Sequence, residues 1–264
     1  MKSSHPPITQ ITFLKFLSKN ILLAAVGSFI KIVEIQKTKD SRKVSAREEN
    51  KNSKKSIFLN CFPGNDSARI HSIQIIQELQ LLVVFGSKSL IMIKYSQTND
   101  SRLPNLEIID RFLFNDWIRD VAVLETSETA VRQVAILFSH NFVQLWDLEE
   151  MKLISSVQSE ERCMLYSGKL VGGSWKSLTV ASGTIFNQGL LWNPTALNEK
   201  GDAIVQSRLI GHEGVLFGIE FSPKQSQIAT LSDDRTIRIW NTESPSMNSP
   251  IVLKGHLGRV WKAR

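Results

Sequence analysis

His212, Thr230 and Asp234 bring an imidazole, a hydroxyl and a carboxylate into one short stretch of this 264-residue chain. These are the groups of a nucleophilic triad, in which the carboxylate orients the histidine and the histidine takes the hydroxyl proton. Their spacing argues for a different use. Asp234 stands six residues and Thr230 ten residues before Trp240, within GHEGVLFGIEFSPKQSQIATLSDDRTIRIW. That order fits a structural tetrad: Trp240 donates its indole N–H to Thr230, Thr230 bonds His212, and His212 bonds the Asp234 carboxylate. Each buried bond of this kind contributes about 1 kcal/mol net, provided that every group has a partner.

Other candidate chemistry is weaker. Asp233-Asp234 could serve as general acid and base, but the pair falls in a turn between two strands, where aspartate suits the backbone. His140 occupies the position six before Trp146, where a complete repeat carries aspartate, and it has no neighbouring ligands for a metal. Gly211-His212-Glu213-Gly214 comes nearest to a phosphate loop, yet it precedes a strand, so no helix N-terminus is there to hold an anion. We therefore expect no enzyme, no metal and no cofactor.

The elements that must position these residues are strands. Gly255-His256 repeats Gly211-His212 after 44 residues, the period of one four-stranded propeller blade of the WD-repeat type. Five inner hairpins are readable as apolar and alternating runs joined by tight turns. They run from Ile21 to Ile35 (turn Gly27-Ser28), Leu81 to Tyr95 (Gly86 to Ser89), and Val134 to Trp146 (Ser139-His140-Asn141). The last two are Leu178 to Trp192 (through Gly183-Thr184) and Ile228 to Trp240. Their starts lie 60, 53, 44 and 50 residues apart. Leu106 to Phe114 and Val205 to Ile210 read as outer strands, Trp117 to Leu124 and Val215 to Phe221 as inner ones. The fold class expected is all-β, a WD-repeat β-propeller with about five blades of an incomplete, seven-bladed ring. Residues 1–264 would then be one partial N-terminal propeller of a longer protein.

Composition narrows the partners. The two cysteines, Cys61 and Cys163, lack any CxxC companion, which excludes a disulfide framework and suits a reducing compartment. The run Ile21 to Val26 is too short to span a membrane, so we expect a cytoplasmic chain without membrane insertion. Net charge is +7, and +5 of it sits in residues 37–55, where eight Lys/Arg face three Asp/Glu. This run reads as a disordered insertion between the first two blades. Its Lys37, Lys39, Arg42, Lys43, Arg47, Lys51, Lys54 and Lys55 are candidates for contact with RNA phosphates. In a propeller the turns between the second and third strands of each blade and the loops that join one blade to the next gather on one docking face. By position, Glu213, Asp233, Arg235, Asn187, His140 and Arg259 would contact a partner there.

The repeat GHEGVLFGIEFSPKQSQIATLSDDRTIRIW, with Gly255 to Trp261 (GHLGRVW), resembles the N-terminal propeller of the WD-repeat-containing protein six family. So does Ser182-Gly183-Thr184-Ile185-Phe186-Asn187 leading into Leu191-Trp192, a turn that is not a general feature of WD repeats. The resemblance implies a non-catalytic regulatory subunit of a tRNA 2′-O-ribose methyltransferase that acts on the anticodon wobble nucleotide. The partners implied are that catalytic subunit and tRNA. The scaffold would hold the tRNA so that the anticodon reaches the partner's active site, an orientation effect that needs no catalytic group. An adaptor role in endosomal recycling is the alternative that the resemblance suggests.

Overall fold

The computed structural model describes residues 11–35, 56–63, 68–96, 103–125, 132–150, 152–242 and 249–262. Among these residues, every regular element is a β-strand, and the strands form five four-stranded antiparallel sheets. The run Ile21 to Val26 is one of these strands, and no helix is long and apolar enough to cross a membrane. The chain divides into two compact units, Met1–Asn115 and Asp116–Arg264.

The first unit holds two blades. Blade one is β1 (Ile11–Ser18), β2 (Ile21–Val26), β3 (Phe29–Glu34) and β4 (Ser56–Asn60). Blade two is β5 (Ser72–Ile76), β6 (Leu81–Gly86), β7 (Ser89–Ser96) and β8 (Asn105–Leu113). All six residues of β6, LLVVFG, are buried, because a strand in the middle of a blade is covered on both faces. Leu23, Ile30 and Ile32 of blade one share a core with Ile70, Leu82 and Ile93.

The second unit holds three blades. Blade three comprises β9 (Ile118–Glu125), β10 (Arg132–Phe138), β11 (Phe142–Asp147) and β12 (Leu153–Gln158). Blade four comprises β13 (Leu165–Val171), β14 (Thr179–Thr184), β15 (Gln188–Leu197) and β16 (Ala203–Ile210). Blade five comprises β17 (Leu216–Phe221), β18 (Gln227–Ser232), β19 (Ile237–Asn241) and β20 (Ile251–Leu253). The inner hairpins pair Val134 with Trp146, Val180 with Trp192 and Ile228 with Trp240, so each tryptophan sits opposite an aliphatic residue. Leu137, Val180 and Trp192 fill the core between blades three and four, and Ala181, Ile219 and Trp240 that between four and five.

The fold class is thus all-β, of the WD-repeat propeller type. One turn differs from its expected place. Gly183 and Thr184 lie inside β14, and the chain reverses at Ile185 to Asn187, where Asn187 takes φ of 62°. Gly183 serves close packing instead. A Cβ there would stand 2.0 Å from Ser167 Oγ and 3.2 Å from Leu216 Cβ, so only glycine lets β14 approach its neighbours.

Candidate functional site

In an antiparallel blade the first strand begins at the end where the second and third strands turn. That end carries the predicted residues of the second unit. In blade five, the loop before β17 delivers His212 and the β18–β19 turn delivers Asp234. Trp240 Nε1 donates to Thr230 Oγ1 (2.8 Å), Thr230 Oγ1 meets His212 Nε2 (2.8 Å), and His212 Nδ1 meets Asp234 Oδ2 (2.7 Å). The structure joins the four side chains into one line.

The protonation states follow from the surroundings. Burial lowers the His212 pKa against the opposing pull of the Asp234 carboxylate, so the imidazole is neutral. Its Nδ1–H then donates to Asp234, and Nε2 accepts the Thr230 hydroxyl proton. Burial alone would raise Asp234. Hydrogen bonds from Thr236, the Glu213 and Thr236 amides and His212 outweigh it and hold the carboxyl well below the usual range. Thr230 is fully buried, and its oxygen is already engaged on both sides.

Blade three brings the same two residue types together from the opposite loops. Asp116 lies in the loop before β9, two residues nearer its strand than His212 is to β17, and His140 lies in the β10–β11 turn, where blade five has aspartate. The two meet at 3.1 Å, and Asp116 also accepts the amides of Trp117 and His140. His140 stays 65% exposed, on a loop.

Blade four has a buried polar line that sequence reasoning missed. Trp192 Nε1 donates to Ser182 Oγ (3.0 Å), and Ser182 Oγ donates to Asn141 Oδ1 (2.6 Å). Asn141 Nδ2 in turn donates to the Glu161 carbonyl (2.8 Å). Ser182 stands ten residues before Trp192, as Thr230 does before Trp240, and that spacing was the available signal. The completing residue comes from the turn of blade three, which no repeat pattern within blade four could reveal.

The remaining candidates occupy the turn end without converging on one point. Glu213 is exposed, and its amide donates to Asp234 Oδ2 (3.0 Å). Asp233 and Arg259 form an exposed ion pair (2.7 Å). Arg235 and Asn187 take positive φ of 66° and 62° at the tips of their turns. Lys37, Lys39, Arg42, Lys43, Arg47, Lys51, Lys54 and Lys55 lie outside the described residues. Among the described residues, no three His, Cys, Asp or Glu side chains cluster as metal ligands.

Comparison with known proteins fits this architecture. The WD40 family (WD domain, G-beta repeat) matches residues 204–241. The chain is similar to the tRNA (34-2'-O)-methyltransferase regulator WDR6 of Mus musculus, 33% identical over 190 residues, which cover 70% of this chain and 16% of that protein. The Homo sapiens protein of the same name is 32% identical over 190 residues, with the same two coverages of 70% and 16%. That of Drosophila melanogaster is 27% identical over 203 residues, covering 70% of this chain and 20% of its own length. The chain thus spans between 16% and 20% of the length of these curated relatives. By these similarities and its WD40 repeat, the chain resembles the proteins of the WD-repeat-containing protein six family over 70% of its length.

Proposed function

We propose that this chain is part of a non-catalytic scaffold that binds tRNA and positions it for a partner 2′-O-ribose methyltransferase acting on the anticodon wobble nucleotide, in the cytoplasm. The observation that carries the reading is the similarity, over 70% of the chain, to proteins named as regulators of that methyltransferase. The fold supports the regulatory half of it. The residues with catalytic side chains in blade five are consumed in a buried network, while the turns at the same end remain open to solvent.

Two sets of groups divide the work. The basic residues between Lys37 and Lys55 attract the phosphate backbone, a contribution that weakens steeply with salt. The turn residues Glu213, Asp233, Arg235, Asn187, His140 and Arg259 offer the partner a mixed-charge surface on a rigid support. Holding the anticodon against the partner's active site lowers the barrier through orientation.

Deleting the gene tests the reading. Nucleoside mass spectrometry should find wobble 2′-O-methylation lost from a subset of tRNAs, and unchanged modification in every tRNA overturns the proposal. Affinity purification of the full-length protein should recover the methyltransferase; recovery of endosomal sorting proteins in its place points to an adaptor in recycling.

A further inference from the structure

The first strands of the second unit begin alike. The carbonyls of Trp117, Met164 and Val215 accept the amides of Ser139, Ile185 and Asp233, the residues that follow the second strand of each blade. Leu165 and Val260 both donate their amides to the serine that ends or follows the preceding blade's second strand, Ser139 and Ser232. The first set of bonds makes Ile118, Leu165 and Leu216 equivalent, and the repeat of Gly211-His212 at Gly255-His256 adds Val260; all four are buried. The next residue in each case is Arg119, Tyr166, Phe217 and Trp261. One backbone position, repeated around successive blades, therefore carries an arginine and three aromatic rings.

The three rings are continuous, and Arg119 reaches the backbone of the first of them. Arg119 Nη1 donates to the Tyr166 carbonyl (3.3 Å). Tyr166 meets Phe217 edge to face at 5.6 Å between centroids, and Phe217 stacks on Trp261 at 4.2 Å and 25°. The Arg259 guanidinium lies 6.0 Å from the Phe217 ring. Tyr166 is 48% exposed, so the row of rings is open to solvent at blade four.

We propose that this stripe is a stacking platform for unpaired bases of single-stranded RNA, the chemistry of an anticodon loop; it rests on the reading of this protein as a tRNA-binding scaffold. Partly exposed rings stack on any base, because every base has a π-face. The flanking cations match the phosphates between those bases. Arg119 donates to two neutral acceptors, Ser139 Oγ (2.7 Å) and the Tyr166 carbonyl (3.3 Å); burial lowers its pKa against the pull of the Asp116 carboxylate, and a guanidinium stays charged at neutral pH even so. Arg259 is paired with Asp233 on the exposed surface, a contact weak enough to exchange for a phosphate.

Binding of the full-length protein to a whole tRNA, to oligoadenylate and to an abasic oligomer of the same length tests the proposal. The parent should prefer oligoadenylate to the abasic oligomer. Trp261→Ala and Tyr166→Ala should each weaken oligoadenylate binding roughly 5- to 100-fold without altering its salt dependence. Trp261→Phe should restore most of the loss, which separates a missing ring from a misfolded blade. Equal affinity for oligoadenylate and the abasic oligomer, with tRNA still bound, overturns the platform and leaves the scaffold reading intact. Alanine variants that bind RNA like the parent but release the methyltransferase also overturn it, and make the stripe a protein contact. Ring-dependent oligoadenylate binding without any tRNA binding supports the platform and removes the scaffold reading instead.

Discussion

Ser182 of blade four gives its hydroxyl proton to Asn141 of blade three at 2.6 Å, so a side chain of one blade completes the buried polar line of the next. Asn141 is fully buried in a left-handed conformation, φ of 60°, which asparagine tolerates better than most residues. Position and chemistry thus coincide: the amide can accept from Ser182 and donate to the Glu161 carbonyl at once.

Replacing Asn141 separates these contributions. Asn141→Gly keeps the backbone conformation and removes both bonds, and chemical denaturation should show a loss of about 1–3 kcal/mol. Asn141→Asp should cost more at neutral pH, since a carboxylate has no proton to donate to Glu161. In a double-mutant cycle with Ser182→Ala, the two losses should fall short of additive by at least about 0.5 kcal/mol. Full additivity would mean that the inter-blade bond contributes nothing.

The blade-five tetrad predicts a contrast between two threonine replacements. Thr230→Val preserves shape but leaves Trp240 Nε1 and His212 Nε2 without partners, at about 1–3 kcal/mol for each orphaned group. Thr230→Ser keeps the hydroxyl and loses one methyl, about 1 kcal/mol. Thermal unfolding of both variants checks the order. Because burial lowers His212 and hydrogen bonds lower Asp234, their stabilisation is present above the ordinary pKa values. It begins to fall below 6.5 for His212 and below 3.8 for Asp234, and is lost as pH drops through their lowered folded values. A variant such as His212→Gln should lose the first of these steps.

Asp120 of β9 titrates in the opposite sense. Burial pushes its carboxyl up to about 6, although Lys169 of β13 approaches within 3.9 Å and the Leu170 amide donates to it. A raised folded pKa favours the protonated native state, so this contribution is complete below 3.8 and disappears as pH rises through about 6. Relative to Asp120→Asn, the parent should lose stability on the order of 3 kcal/mol between pH 4 and pH 7. Lys169 also pairs with Glu220 of β17 at 3.6 Å, linking the first strands of three blades. Lys169→Met should destabilise by about 3–5 kcal/mol at neutral pH, by stranding the Asp120 charge. It should recover partly in acid, as measured by unfolding at both pH values.

Gly183→Ala should cost about 1–3 kcal/mol, because the new methyl collides with Ser167 Oγ and breaks that hydroxyl's bond to the Leu216 carbonyl (2.9 Å). Combining it with Ser167→Ala clears the nearest atom, so the double variant should be less destabilised than the sum of the two single variants. Denaturation midpoints of the three proteins decide the matter.

Much of this molecule was legible before any coordinates. The alternation in Phe29–Glu34 and the apolar run Leu81–Gly86 specify strands, because side chains in a strand point to opposite faces in turn. The spacing of Thr230, Asp234 and Trp240 names a polar line because all its members, with His212, belong to one blade and one local register. Local periodicity reports contacts within a sheet. It is silent on contacts between sheets.

What only the tertiary structure decided lies at those seams. Nothing around Asn141 says that it will reach Ser182, forty-one residues away, or that Gly183 is kept small by Ser167 and Leu216 rather than by a turn. The row Arg119, Tyr166, Phe217 and Trp261 likewise emerges when neighbouring blades stack, while the contact of Asp116 with His140 closes within blade three. The physical reason is range: hydrogen-bonded hairpins are closed by residues near in sequence, whereas the packing of one blade on another joins side chains whose separation along the chain carries no periodic trace.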